Sequence, residues 1–328
     1  MPEVTVLTTV YNALPYLPMA VDSILGQTLS DFRFLIIDDG STDGSAAWLD
    51  NVSDERICVV HQANCGLAGA LNRGLALCET PFVARFDADD YALPTRLEKQ
   101  LAFLRSQPEV GLVGTQVAPF GDRRVGRNSS LPCEHREIDS ALMLGRHALC
   151  HSSVMYRTAL VREIGGYWSE GLSEDWDLYL RMAERAQLAN LDEVLLHYRV
   201  LPTGLQGRHA GEVRLRIAYA CQCARQRRAG LSVTSYAEFQ GQAAAARLWQ
   251  RLRRAQDDYA LWQYRRALPD VLGTRRAAGY ARLMWAAACS PPLTWQRLAR
   301  VARRRFAAWD SRRNAQADRF RLQETVTS

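Results

Sequence analysis

The chain has 328 residues, 48% of them hydrophobic and 23% charged, so it can bury a core and is not disordered along its length. No run approaches the roughly 18 consecutive apolar residues of a membrane-spanning helix; the longest, Leu283 to Cys289, is far too short. The net charge of +6 conceals an asymmetry: residues 1–200 carry 17 basic against 27 acidic side chains, and residues 201–328 carry 24 against 8. That contrast predicts an acidic globule followed by a basic, Arg-rich region, with a division near residue 200. The eight cysteines form no CxxC pair, and a strand-like run follows Met-Pro-Glu directly. Reduced thiols, no secretory signal and a cytoplasmic protein are therefore expected.

Taken in chain order, Glu3 to Val10 is a continuous β-branched run of the kind buried in a parallel sheet, ended by Tyr11-Asn12. Residues 15–26 place Leu17, Val21, Ile24 and Leu25 on one helical face. Residues 32–37 predict a second strand, halted by Asp38-Asp39-Gly40-Ser41, and a second helix opens near Thr42 or Asp43. A strand over 56–61, a helix from Gly66 to Leu77 and a strand from Pro81 to Phe86 follow, the last running into Asp87-Ala88-Asp89-Asp90. A helix is then expected from Pro94 to Ser106 and a strand from Val110 to Val117. Further on come an amphipathic helix near 135–145, a strand from His151 to Arg157, and a turn at Gly165-Gly166-Tyr167. A helix from Glu174 to Ala186 and an extended segment from Leu191 to Val200 complete this part; beyond residue 205 the pattern is helical and basic.

Strands alternating with helices at this spacing predict an α/β protein of right-handed βαβ units with a mainly parallel sheet. Ligands of such sheets sit outside the carboxyl ends of the strands. Attention falls on the polar clusters there. In an extended segment Asp87 and Asp89 would point to the same side, where they would hold a hard divalent cation or, in the blander reading, form a solvated turn. Asp38 and Asp39 offer a carboxylate for a base N–H or a ribose hydroxyl beyond what helix capping by Ser41, Thr42 or Asp43 requires. Glu174-Asp175-Trp176-Asp177 opens a helix, whose N-terminus stabilises an anion. There Glu174 or Ser173 would cap while Asp175 faces the cleft, ionised at working pH as a general base would be. The Asn64 to Gly74 block brings Gly66 and Gly69 to a helix start but matches neither a GxGxxG nor a P-loop.

With these blocks in order, the chain resembles the family 2 glycosyltransferases over about residues 3–200. The matching blocks are Val-Leu-Thr-Thr-Val-Tyr-Asn at 6–12, Ser-Ile-Leu-Gly-Gln-Thr at 23–28, Ile-Ile-Asp-Asp-Gly-Ser-Thr-Asp at 36–43 and the Asn64 to Gly74 block. They continue with Phe-Asp-Ala-Asp-Asp at 86–90, Pro94 to Gln100, Ile-Gly-Gly-Tyr at 164–167 and Ser-Glu-Asp-Trp-Asp-Leu at 173–178. The resemblance implies a GT-A fold and inverting transfer of a sugar from a nucleotide donor, UDP-sugar being the first expectation, with Mn²⁺ or Mg²⁺ as cofactor. It implies that Thr9, Tyr11, Asp39, Asn64 and Asp87 serve the nucleotide sugar, that Asp87 and Asp89 form the DxD motif with Asp89 on the metal, and that Asp175 is the base. Leu71 departs from the Arg the family often carries. The QxxRW motif of processive members is missing, which favours transfer of a single sugar. His151 lies in a block typical of relatives and reads either as lining the acceptor cleft or as a core histidine.

The expected division is a catalytic domain over 1–204 and an Arg-rich helical region over 205–328. Trp295, Leu298, Ala302, Phe306 and Trp309 share one helical face among arginines. That face suits either an anionic membrane surface or packing on the catalytic domain. Leu248, Trp249 and Leu252 are expected in a core. A glycan or lipid-linked acceptor is expected, and a peripheral position on the inner face of the membrane would follow from the basic face. Nucleic-acid binding by the Arg-rich region is the alternative function, but it lacks a known motif and leaves the acidic half unexplained.

Overall fold

The structure, a computed structural model, describes residues 1–121, 124–168, 173–201, 210–245, 248–291 and 294–295. Two compact units divide the chain, Met1–Ala245 and Ala246–Ser328.

The first unit is built on β1 (Val4–Val10), β2 (Arg33–Asp38), β3 (Ile57–His61), β4 (Phe82–Asp87), β5 (Tyr91–Ala92), β6 (Val110–Phe120), β7 (Met155–Arg157) and β8 (Gln187–Arg199). They form one mixed sheet in the order β3-β2-β1-β4-β7-β6-β8-β5. β3, β2, β1 and β4 run parallel, and β7 enters antiparallel to both β4 and β6. The continuous apolar runs of the first strands have the predicted cause. Val4, Val6 and Val10 of β1 pack on one face of the sheet and Leu7 on the other, so the strands are covered on both sides. The covering helices are α1 (Leu17–Leu25), α2 (Ser45–Asp50), α3 (Leu67–Leu77), α4 (Arg96–Ser106), α5 (His135–Met143), α6 (Thr158–Glu163) and α7 (Glu174–Ala183).

Several expectations need correcting. The expected strand from His151 begins only at Met155, because residues 151–153 form a 3₁₀ turn. The extended segment after Leu191 is the second half of one 13-residue strand that starts at Gln187. Helix α6 and the two-residue strand β5 have no counterpart in the sequence reading.

Packing places the boundary elsewhere than charge does. Helix α8 (Ala210–Arg228) lies beyond residue 204, yet it is held to the first unit. Arg227 Nε donates to Glu184 at 2.9 Å, Arg228 Nη2 to Asp139 at 2.6 Å, and the Cys221 thiol to the Leu142 carbonyl at 3.3 Å. Tyr219 of α8 packs against Trp168 and against Tyr236 and Phe239 of α9 (Tyr236–Ala244).

The described part of the second unit is the pair α10 (Leu248–Leu272) and α11 (Arg276–Cys289). Small residues make their seam: Ala260, Ala267, Gly279 and Ala286 are buried. Gln256 donates to the Cys289 carbonyl at 2.6 Å and Arg282 pairs with Asp270 at 3.1 Å. Trp249 and Leu252, expected in a core, are instead 57% and 62% exposed; α11 ends opposite Gln256 and so does not extend along the first turns of α10. The Leu248 side chain lies outside the described residues. So do Leu298, Ala302, Phe306 and Trp309 of the expected basic face; its first member, Trp295, is exposed. Among the described residues no helix is long and apolar enough to cross a membrane.

Candidate active site

The carboxyl ends of β1, β2, β3 and β4 and the start of α7 supply the expected residues. Thr9 stands beside Ile37 of β2 on one side and Asp87 of β4 on the other. The chain then turns out through Tyr11, which is exposed, and Asn12, whose φ of 54° is left-handed. Loop-to-loop hydrogen bonds hold Asn12 there: its side-chain oxygen accepts from Thr42 N at 2.7 Å and its own N–H donates to Ser41 Oγ at 3.1 Å. Asp43 accepts from the N–H of Ser45, the first residue of α2, and from that of Leu14, so it satisfies one free donor at the helix start and ties the two loops together.

The two acids after β2 divide their work. Asp38 accepts from Ser41 N at 3.2 Å and meets His61 Nδ1 at 2.8 Å, which raises the histidine's pKa. Asp39 turns the other way. One of its oxygens accepts from Cys65 N at 2.9 Å and from Gln62 Nε2 at 2.6 Å, the other from Gly66 N at 3.0 Å. Asp39 thereby fixes the loop that carries the exposed Asn64. Gly40 is required at this crossing: its φ is +78°, and a Cβ would lie 2.9 Å from Asn64 N.

The acidic block after β4 is not extended as expected. The strand ends at Asp87, and residues 88–89 form a turn closed by Asp90 N donating to the Asp87 carbonyl at 3.3 Å. It is this turn, not strand alternation, that brings the carboxyls close enough for the charge of Asp87 to act on Asp89 and Asp90. Beneath them lies Arg85, fully buried, which donates to Asp87 Oδ1 at 2.5 Å and to the Phe86 carbonyl. A second fully buried arginine, Arg96, donates to the Arg85 carbonyl at 2.6 Å and to Gln100 at 3.0 Å. The sequence reading overlooked both; the one signal was a charged residue inside the apolar run Phe82-Val83-Ala84-Arg85-Phe86.

Burial works to raise the Asp87 carboxyl, but the charge and hydrogen bond of Arg85 outweigh it and hold Asp87 below the usual range. Asp89 is pushed up to about 6 by burial and by the negative charge of Asp87. Asp90, raised further by burial and both neighbours, accepts from Arg199 N at 2.7 Å. Asp87 and Asp89 thus both lie in the field of one buried arginine. Their hard oxygen donors fit a divalent cation. Among the described residues no three Asp, Glu, His or Cys side chains cluster to hold an ion unaided, so a cation there would complete its shell with phosphate oxygens and water.

Asp175 lies in the first turn of α7 and shares this field: the charges of Asp87 and Arg85 both act on it. Its Oδ1 accepts from Trp176 N at 2.9 Å. Ser173, expected as a side-chain cap, makes no cap bond and adopts a left-handed φ of 71°. The helix N-terminus does favour the anion through backbone hydrogen bonds, yet burial wins and pushes Asp175 up to about 6. Glu174, buried beside it, is pushed up to about 7.

His151 sits between the acids and a buried aromatic group. Burial and the Arg85 charge push it down to about 3, so it is neutral, and its Nε2 meets Tyr167 Oη at 3.0 Å. Tyr167 also meets Tyr156 Oη at 3.3 Å. The hydroxyl of Tyr179, within the field of Asp175, is buried without a hydrogen-bond partner. Tyr167 is fixed from α3, since Asn72 accepts from its N–H and donates to its carbonyl, both at 2.8 Å.

Residues 5–165 match the model of the family described as Glycosyl transferase family 2; Asp175 lies beyond that stretch. The amylovoran biosynthesis glycosyltransferase AmsE of Erwinia amylovora is 32% identical over 203 residues, which cover 60% of this chain and 75% of that protein. The O-antigen biosynthesis glycosyltransferase WbnJ of Escherichia coli is 31% identical over 208 residues, covering 60% of this chain and 79% of that protein. Among solved structures, S. aureus TarS 1-349 in complex with UDP-GlcNAc superposes with a TM-score of 0.56 at 16% identity, covering 87% of this chain and 90% of that one; this likeness shows the GT-A fold. The chain belongs to the family 2 glycosyltransferases.

Proposed function

We propose that this enzyme moves a single sugar, with inversion, from a nucleotide-sugar donor to a hydroxyl of a glycan or lipid-linked acceptor. A UDP-sugar is the donor favoured. The observation that carries the reading is the shared field of Asp87, Asp89 and Asp175 around the buried Arg85. Thr9, which pairs with Asp87 across β1 and β4, and Tyr11, Asp39 and Asn64 on the loops after β1, β2 and β3 would receive the nucleoside. Asp39 would do so chiefly by holding its loop, since both its oxygens already accept backbone N–H groups.

Asp87 and Asp89 would hold a Mn²⁺ or Mg²⁺ ion, which when bound supplies Lewis-acid stabilisation of the departing diphosphate. Asp175 takes the proton of the acceptor hydroxyl as that oxygen attacks the anomeric carbon from the face opposite the leaving group. The C–O bond to the nucleoside diphosphate breaks as the new glycosidic bond forms, so one displacement inverts the centre and no enzyme nucleophile is needed. A carboxylate with a pKa near 6 suits this step. It is ionised at pH 7 and is a stronger base than an ordinary Asp. The relatives are glycosyltransferases, so nucleic-acid binding is not favoured.

The test is a screen of nucleotide sugars with Mn²⁺ or Mg²⁺, scoring nucleotide release and thermal shift. Asp89→Ala is expected to weaken metal-dependent donor binding. Asp175→Asn is expected to bind donor normally and lose at least a hundredfold in transfer, about the worth of a general base. Transfer at the parent rate by Asp175→Asn rules out its assignment as the base.

A further inference from the structure

Helix α11 is apolar nearly all round. Arg282 is the one charged residue after Arg276, and it is paired with Asp270. The side facing α10 holds Gly279 and Ala286; the opposite side presents Ala277, Tyr280, Ala281, Met284, Trp285 and Ala288, all but the paired seam in solvent. Met284 is 70% and Trp285 56% exposed. The surface continues onto α10, because Trp285 Nε1 donates to Tyr259 Oη at 3.3 Å and Leu252 lies two turns before Tyr259 on the same side. Exposed apolar side chains clustered in this way mark an interaction surface.

Three features of the hairpin select its occupant. The exposed rings are Trp and Tyr, which settle at the boundary of hydrocarbon and water. At 14 residues, α11 spans about 21 Å, too short to cross a hydrocarbon layer of about 30 Å, so such a helix lies along a surface. Residues 246–295 carry nine Arg against three Asp, and Arg253, Arg266, Arg275 and Arg276 are exposed. That charge attracts anionic head groups and repels a second copy of the same face. We propose that the α10–α11 hairpin docks on an anionic phospholipid surface, inserting Trp249, Leu252, Met284 and Trp285 at the interface while the arginines meet the phosphates. Docking there would bring the catalytic unit's chain to the surface where lipid-linked acceptors reside, but the inference stands on the hairpin alone.

Flotation of the full chain with phosphatidylglycerol/phosphatidylcholine vesicles at 0.15 M salt tests it, without reference to transfer activity. Strong binding is expected to these vesicles and at least tenfold weaker binding to pure phosphatidylcholine. The exposed triple substitution Trp249→Ser, Met284→Ser, Trp285→Ser is expected to lower binding at least tenfold while metal-dependent donor binding and the circular dichroism spectrum are unchanged. Failure of the parent chain to float overturns the proposal, as does equal binding by the triple variant. A dimer in sedimentation equilibrium that the same substitutions dissolve would assign the face to self-association and overturn it too.

Discussion

At Asp175 two tendencies oppose. The first turn of α7 gives its carboxylate a backbone N–H, which favours the anion, while burial disfavours it more strongly and sets the pKa at about 6. Because the base must be ionised, the rate of transfer is expected to fall about tenfold per unit as pH drops below 6 and to be flat above it; a rate profile over pH 4.5–8 checks this. The same shift makes a stability statement. The folded pKa exceeds the unfolded one, so the ionised form costs stability, from nothing below pH 3.8 to a plateau above 6. Asp175→Asn keeps an acceptor for Trp176 N and removes that cost. It is therefore expected to be more stable than the parent by about 1–3 kcal/mol at pH 8 and equal to it near pH 3.5, as read by chemical denaturation at both pH values. Arg85 poses the reverse case. It is the buried cation against which Asp87 is ionised, and Arg85→Met leaves that acid uncompensated. The Asp87 side chain is 37% exposed, so solvent screens part of the loss and the cost is expected to fall short of the about 3–5 kcal/mol of a fully buried pair; an unchanged denaturation midpoint would mean that Arg85 is not what holds Asp87 ionised.

At the scale of elements, the site is a set of loops pinned to one another, and the pins are short polar side chains and glycines. The turn before Tyr167 is an example. Gly166 has φ +71° and no room for a side chain, a Cβ falling 2.6 Å from Asn72 Oδ1. Gly166→Ala should therefore strain the backbone and push away the residue that holds Tyr167, at a cost of about 1–3 kcal/mol. Asn72→Ala, which removes both bonds to the Tyr167 backbone but leaves φ alone, should cost about 1–2 kcal/mol; thermal melts of the two variants would separate strain from lost bonding. The strands and most helices of this unit were legible because their apolar periodicity reports burial, as in β1 and β2. The strand-end acids were legible because an unpaired carboxylate cluster after a buried run has few structural uses. Arg85 and Arg96 were not, since a lone charge in a strand or at a helix start says nothing of the partner that permits its burial until the turn at 88–89 and the carbonyl of Arg85 are placed. Nor could the division of labour between Asp38 and Asp39 be read, because it is set by His61 and Cys65, more than 20 residues away in the chain. Trp249 and Leu252 misled for a related reason: periodicity shows which side of a helix is apolar, and only the length of the neighbouring helix decides whether it is covered.

For the whole molecule, the break in charge and the break in packing fall at different places. The basic excess begins near residue 205, but α8 and α9 spend their aromatic residues and arginines on the acidic unit: Arg227 on Glu184, Arg228 on Asp139, Tyr219 on Trp168. Oppositely charged segments of sequence are here joined in one folded body, which is why charge alone placed the boundary some 40 residues early. The consequence can be measured by truncation. A chain ending at Ala245 keeps every residue of the sheet, both apolar clusters and all the acids of the candidate site. It is expected to unfold in one cooperative transition and to bind donor in the presence of Mn²⁺ as the full chain does. A chain ending at residue 204 removes α8, whose Val213, Ile217, Ala220, Cys221 and Ala224 belong to the same apolar cluster as Leu142 and Trp176, and so leaves part of that cluster uncovered. At about 25 cal/mol per Å² of apolar surface left exposed, and with the ion pairs of Arg227 and Arg228 gone, several kcal/mol are lost, a large part of the stability of an ordinary domain. The shorter chain is therefore expected to aggregate or melt without cooperativity, and a cooperative, donor-binding product ending at 204 would show that α8 is dispensable to the catalytic unit.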